Sequence, residues 1–187
     1  METRKILLKL SGRAFLGKLE YGIDPEACMR VVREIESVVN LGVELAIVVG
    51  AGNIFKGKFA SESGMERATA DHIGMLGTVM NGLALQQAVE KAGIQVRLMS
   101  TVGPELMAEK YSHGRAIAHM DKGRVVIISG GSGAPFFSTD TAAAVRALEL
   151  GCEAVYKGTN VDGVYTKDPK VFDDAVLIDR LDYGEAI

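Results

Sequence analysis

The sequence predicts an α/β protein in which a mainly parallel central sheet is covered by helices, and three observations predict it. Apolar runs of strand length recur at 5–10, 45–49, 94–99, 125–129 and 154–157. Stretches long enough for helical crossovers separate them, as parallel strands require. Glycine turns follow the first, second, fourth and fifth runs.

Composition agrees with this class. Of 187 residues 48% are apolar and 24% charged, with a formal net charge of −3. Such a chain buries enough surface to form one compact domain or two small lobes, which excludes disorder and low complexity. With 21 basic against 24 acidic residues there is no basic excess of the kind a general nucleic-acid binder uses. Any polyanion must be held locally.

The elements follow in order. The run Ile6 to Leu8 is too brief for a signal-peptide core or a membrane span. Cys28 and Cys152 form no CxxC pair, so neither a disulfide framework nor a zinc site is expected, and the setting is cytoplasmic. The first helix has Asp24 to cap it, Pro25 for its first turn, a stripe of Val31, Ile35, Val38 and Val39, and Gly42 to end it. A longer helix is predicted over 65–91, with Ile73, Leu76, Met80 and Leu83 along one face. Its Gly74, Gly77 and Gly82 each cost about 1 kcal/mol relative to Ala in a helix interior. They are read equally as a subunit seam or as a tolerated imperfection within the monomer. A third helix starts at Thr139 or Asp140 and runs through Val145 and Leu148 to Gly151. Beyond Tyr156, Asp162-Gly163 and Asp168-Pro169 are turn signals, and Gly163 to Thr166 reads as a short hairpin arm.

In a parallel sheet the carboxyl ends of the strands share one edge. Ser11-Gly12, Gly50-Ala-Gly-Asn53, Gly130-Gly-Ser-Gly133 and Gly158-Thr159 therefore converge on one crevice, where small residues and helix amino termini suit phosphate. Lys9 is the one charged side chain between Ile6 and Leu10. It reads either as a phosphate contact or as a strand-end lysine reaching water. Two stretches, from Gly12 and from Gly52, fit G-x-x-x-x-G-K, but Leu19 and Phe59 stand where a P-loop needs a hydroxyl for magnesium. Gly50-Ala-Gly52 also opens like a dinucleotide fingerprint, yet Phe55 replaces the last glycine. Asp140 reads equally as a helix cap or as a residue that positions a lysine or ligand, and Asp71-His72 similarly. His113 and His119 read as surface residues, and no histidine falls in a metal-ligand or triad spacing.

Five motifs then occur in the order found in the bacterial uridylate (UMP) kinases of the amino-acid kinase superfamily, which the whole chain resembles. They are Lys9-Leu-Ser-Gly12, Gly50-Ala-Gly-Asn53, Asp71-His-Ile-Gly-Met-Leu-Gly-Thr-Val-Met-Asn81, Gly133-Ala-Pro-Phe-Phe-Ser-Thr-Asp140 and Lys157-Gly-Thr-Asn-Val-Asp-Gly-Val-Tyr165. The resemblance implies a three-layer α/β/α sandwich and transfer of the γ-phosphoryl group of MgATP to UMP, giving UDP in pyrimidine nucleotide biosynthesis. It implies Lys9, Asp140 and Lys157 as catalytic residues, with Asp140 orienting the two lysines. ATP falls to Lys9, Ser11, Gly12, Gly52, Lys56, Thr159, Tyr165 and Asp168. UMP falls to Ala51, Asp71, Ser132, Gly133, Ala134, Pro135, Phe136, Phe137, Ser138 and Thr139. Mg2+ would be held by the phosphates, with no protein-built metal cage. It further implies a homohexamer built from dimers, which makes the glycine-interrupted helix a dimer seam.

As domains, the resemblance implies a UMP-binding and dimerisation half over 1–150 and the start of an ATP-binding half over 151–187. Family members continue some tens of residues further, so a single domain lacking its carboxyl-terminal part is expected, with a helix opening at the end. Ala51 departs from the family's glycine triplet, and Lys56 stands in place of an arginine, losing a bidentate phosphate contact. Gln86-Gln87 replaces the charged pair of GTP-regulated members, which argues against GTP activation. The short carboxyl end, Ala51 and Lys56 keep open a non-catalytic nucleotide-binding module. The imperfect glycine loop alone supports a nicotinamide-binding oxidoreductase.

Overall fold

The computed structural model describes residues 4–55, 64–103, 105–159, 161–182 and 184, so Lys56 and the helix expected at the end of the chain lie outside the described residues. Two compact units share the chain, one ending at Lys157 and the other beginning at Gly158.

Six strands, all in the first unit but for Gly158 at the end of the last, β1 (Lys5–Leu10), β2 (Glu44–Val49), β3 (Val96–Ser100), β4 (Glu109–Lys110), β5 (Val125–Ser129) and β6 (Ala154–Gly158), form one sheet in the order β4-β3-β5-β2-β1-β6. The pairs β1–β2, β2–β5, β3–β5 and β3–β4 are parallel. Strand side chains alternate between faces, and the core divides accordingly. Leu10, Leu45, Ile47, Val49, Val125 and Ile127 pack under α1 (Pro25–Val39) and α2 (Arg67–Lys91). Leu7, Ala46, Val48, Val126 and Ile128 pack under α3 (His113–Met120) and α4 (Thr139–Leu150). The result is a three-layer α/β/α arrangement. Among the described residues no helix is long and apolar enough to cross a membrane.

α1 begins as its residues dictate: Asp24 Oδ1 accepts from the Glu26 amide at 2.9 Å and Pro25 fills the first turn. Three expectations need correction. The α2 face of Ile73, Leu76, Met80 and Leu83 is only partly a core face: Leu83 packs against the core, but Leu76 is 49% and Met80 52% exposed, while Met75, Gly77, Thr78, Asn81, Gly82 and Leu85 turn inward. Two of its three glycines, Gly77 and Gly82, meet close packing inside the chain, whereas Gly74 has nothing within 4 Å. A Cβ on Gly77 would lie 2.9 Å from the Ala51 Cβ, and one on Gly82 2.7 Å from Leu98 Cδ1. In α4, Val145 and Leu148 face solvent, and Ala142, Ala143, Ala147 and Leu150 carry the packing, because small side chains let the helix sit close on the sheet. β3 begins at Val96, two residues later than its apolar run.

In the second unit, β7 (Val164–Tyr165) and β8 (Leu177–Ile178) pair antiparallel, with Val164 opposite Ile178. The hairpin arm expected at 163–166 thus has its partner beyond an eleven-residue connection, 166–176.

Candidate active site

Lys9 shares strand parity with Leu7, so it emerges from β1 on the α4 side of the sheet. There it meets the first turn of α4. Ser138 caps that helix by accepting from the Thr141 amide at 3.0 Å, which leaves the Asp140 carboxylate free of capping duty. Asp140 instead binds two cations, Lys9 Nζ at 2.8 Å on Oδ1 and Lys157 Nζ at 2.8 Å on Oδ2. Burial alone would raise its carboxyl, but hydrogen bonds from Lys157 and Lys9 outweigh it and hold the group below its ordinary 3.8. The Lys9 side chain is 12% exposed, Asp140 47% and Lys157 56%. A lysine this buried is tolerated because its charge is paired.

The turns after β1 and β2 close on each other beside this array. The Gly50 amide donates to the Leu10 carbonyl at 2.9 Å. A Cβ on Gly12 would lie 2.4 Å from Asn53 Oδ1 and 2.5 Å from the Gly52 nitrogen, and one on Gly50 would lie 3.7 Å from Thr139 Oγ1. At Gly12 only glycine permits so close an approach. Ser11 opens the 3-10 turn that follows, its hydroxyl accepting from the Arg13 amide.

Next to them lies a cavity of about 260 Å³. Ala51, Asp71, Ser132, Phe137, Ser138, Thr139 and Gly52, all anticipated from the sequence, line it together with Phe55, Arg67, Gly74, Met75 and Thr78. Asp71 is held from two sides: Arg67 Nε lies 3.0 Å from both carboxylate oxygens, and the Phe136 amide donates to Oδ2 at 2.7 Å. Phe136 has φ +72°, a left-handed conformation that is strained for an aromatic residue, and the Arg67 guanidinium lies 5.9 Å from its ring centre. Gly133, Ala134, Pro135 and Phe136 belong to the same loop but do not line the cavity. Ser132 stabilises that loop, donating to the Ala134 carbonyl at 2.8 Å.

Thr159, Tyr165 and Asp168 belong to the second unit. Thr159 Oγ1 accepts from the Val161 amide at 3.0 Å, the Tyr165 hydroxyl donates to Asp162 at 3.4 Å, and Asp168 Oδ1 accepts from the Lys170 amide at 3.0 Å.

Sequence reasoning missed Arg67, Thr78, Asn81 and Arg146. Arg146, 6% exposed, lies 4.4 Å over the Tyr111 ring, pairs with Glu149 and donates to the Ser132 carbonyl at 3.2 Å, tying α4 to the cavity loop. The available signal was a polar residue on an otherwise apolar helix face. His119 also differs from expectation. It is half-buried, with Nε2 3.1 Å from Glu109 and Nδ1 2.9 Å from Arg124, because α3 presses it against the end of the sheet. A guanidinium only donates, so Nδ1 accepts and Nε2 carries the proton toward Glu109.

Both Asp140 oxygens are spent on lysines, and no group of three His, Cys, Asp or Glu able to hold a metal occurs among the described residues. A cation that brings its own phosphate ligands is the kind this site fits.

The amino acid kinase family is matched over residues 4–187. The uridylate kinase of Paramagnetospirillum magneticum is 52% identical over 184 residues, covering 98% of this chain and 77% of its own. Two solved structures are similar throughout. The UMP kinase from Bacillus anthracis gives a TM-score of 0.87 at 39% identity, over 92% of this chain and 71% of that one. The UMP kinase from Ureaplasma parvum gives 0.92 at 31% identity, over 100% and 79%.

Proposed function

The chain belongs to the amino acid kinase family, and on that footing we propose that it is a UMP kinase, transferring the γ-phosphoryl group of ATP to UMP to give UDP and ADP. The Lys9–Asp140–Lys157 array carries this reading: two cations, each 2.8 Å from one carboxylate, beside the touching glycine turns. A UMP phosphate oxygen is already an anionic nucleophile, so no base has to remove a proton from it. It attacks the γ-phosphorus; the new P–O bond forms as the bond to the β,γ-bridging oxygen breaks, and ADP leaves with that electron pair. The chain must then supply alignment and positive charge where the equatorial oxygens become more negative. Lys9 and Lys157 provide the charge, and Asp140 holds both in place.

Ser11, Gly12, Gly52 and Lys56 hold the ATP phosphates in this reading, and Thr159, Tyr165 and Asp168 meet its base and ribose. Ala51, Asp71 and the loop from Ser132 through Thr139 bind UMP. Mg2+ enters with ATP on phosphate oxygens and offsets their charge. The reading extends to pyrimidine nucleotide synthesis in the cytoplasm. It also extends to a UMP-binding and dimerisation half over 1–150 with an ATP half beginning at 151, and to a homohexamer of dimers. The exposed Leu76 and Met80 on α2 support a subunit contact there.

A coupled assay tests it. ATP with UMP is expected to give UDP, while carbamate, aspartate and acetylglutamate give no product; absence of UDP overturns the reading. Lys9→Met is expected to lower kcat by about 10²–10³-fold, as loss of a charge-stabilising donor does, with KM for UMP within about threefold. Undiminished turnover in that variant removes Lys9 from the chemistry.

A further inference from the structure

Helix faces turned to a core are ordinarily apolar, yet α2 buries Thr78 at 4% exposure and Asn81 at 0%. Each spends its hydrogen bonds on a different turn. Asn81 Nδ2 donates to the Gly50 carbonyl and to Asn53 Oδ1, both at 2.7 Å, and Asn81 Oδ1 accepts from Asn53 Nδ2 at 2.9 Å. The other Nδ2 hydrogen of Asn53 reaches the Gly22 carbonyl at 2.8 Å. Every amide hydrogen of the pair is used, so neither side chain can rotate without leaving a buried group unpaired. Asn53 Oδ1 is also the atom against which the Gly12 turn rests, 2.4 Å from where a Cβ would stand. The amide pair therefore sets how the turns after β1 and β2 meet.

Thr78 serves the other side. Its Oγ1 accepts from the Gly130 amide at 2.7 Å and donates to the Met75 carbonyl at 2.6 Å. Gly130, at φ +82° and wedged against Thr101, opens the loop that carries Ser132 to the cavity wall. Thr78 and Asn81 stand three residues apart on one helix face, so a rigid helix fixes the separation of the two turns.

We propose that Thr78 and Asn81 are positioning residues for phosphoryl transfer: Thr78 sets the loop that receives UMP, and Asn81 sets the turns where the two phosphates meet. This rests on the UMP kinase reading. In-line transfer tolerates little displacement, since a shift of about 1 Å can cost on the order of 10²-fold in rate.

Steady-state kinetics on the whole protein test it. Asn81→Ser is expected to lower kcat by roughly 10–100-fold with KM for UMP within about threefold. Thr78→Val, which keeps the shape and loses the hydroxyl, is expected to raise KM for UMP about tenfold with kcat little changed, and Thr78→Ser to restore it. Residues that merely held the fold would give both variants one pattern, a smaller folded fraction with unaltered KM, and that result overturns the proposal. So does Asn81→Ser turnover within about threefold of wild type. If Asn81→Ser does not fold, Asn53→Ser breaks the same pair from the turn side and must reproduce the loss of kcat. If neither folds, the pair holds the core rather than the turns, and the proposal falls. A wild type that forms no UDP overturns the kinase reading and this inference with it; an active wild type whose variants fail to split overturns this inference alone.

Discussion

Asp140→Asn strikes the array at its centre, because each carboxylate oxygen holds a different lysine at 2.8 Å. The amide keeps the shape, removes the negative charge, and turns hydrogens toward an ammonium that needs an acceptor. Lys9 suffers most, with 12% of its side chain exposed against 56% for Lys157. Breaking a buried pair costs about 3–5 kcal/mol and an exposed one about 0–1. Asp140 is 47% exposed, so solvent screening brings the cost to roughly 1–2 kcal/mol, or about 2–8 °C in Tm for a chain of this size.

The loss depends on pH in a definite direction. The folded-state pKa of Asp140 lies below the ordinary 3.8, so as pH falls the unfolded chain takes up the proton first. The ion pairs therefore stabilise the fold above that value, and their contribution disappears as pH drops through the folded-state pKa. The gap between wild-type and variant melting temperatures should be widest near neutrality and close below about pH 4. With both lysines released, kcat should fall on the order of 10²-fold. Melting curves between about pH 3 and 7 and the UDP assay check both. A variant with wild-type turnover, or a gap that does not narrow in acid, refutes the reasoning.

Gly74→Ala meets nothing within 4 Å, so it is expected to gain about 0.5–1 kcal/mol of helix stability, yet its methyl enters the cavity wall and raises KM for UMP. Calorimetry and kinetics on one sample check the pair of effects. Gly77→Ala has the same helix gain but puts a methyl 2.9 Å from the Ala51 Cβ, and is expected to destabilise by about 1–3 kcal/mol in urea titration. The Cys152 thiol is pushed up to about 11, chiefly by burial. At about pH 8 it should alkylate on the order of 10²-fold more slowly than an exposed thiol, and unfolding should abolish the difference, as read by mass spectrometry.

Much of the architecture is legible along the chain because its causes are local. Apolar runs of strand length mark β1, β2 and β5, Asp24-Pro25 opens α1, and Gly151, at φ +67°, closes α4. A parallel sheet gathers its strand ends at one edge, so glycine turns after successive strands and a lysine at the end of the first already point to one crevice. Local order could not choose between equivalent uses of one residue. Ser138 and Asp140 can both cap a helix, and only the approach of β1 and β6 commits Asp140 to Lys9 and Lys157. For α2 part of the apolar row, Leu76 and Met80, points outward. The inward face is selected by contacts across about thirty to fifty residues of chain, Asn81 with Gly50 and Thr78 with Gly130, and by the room that Gly77 leaves for Ala51. Hydrophobic patterning reports which residues shun water. Which polar group finds which partner is decided only when distant turns are packed together, since a buried amide or hydroxyl accepts whatever the assembled fold sets beside it.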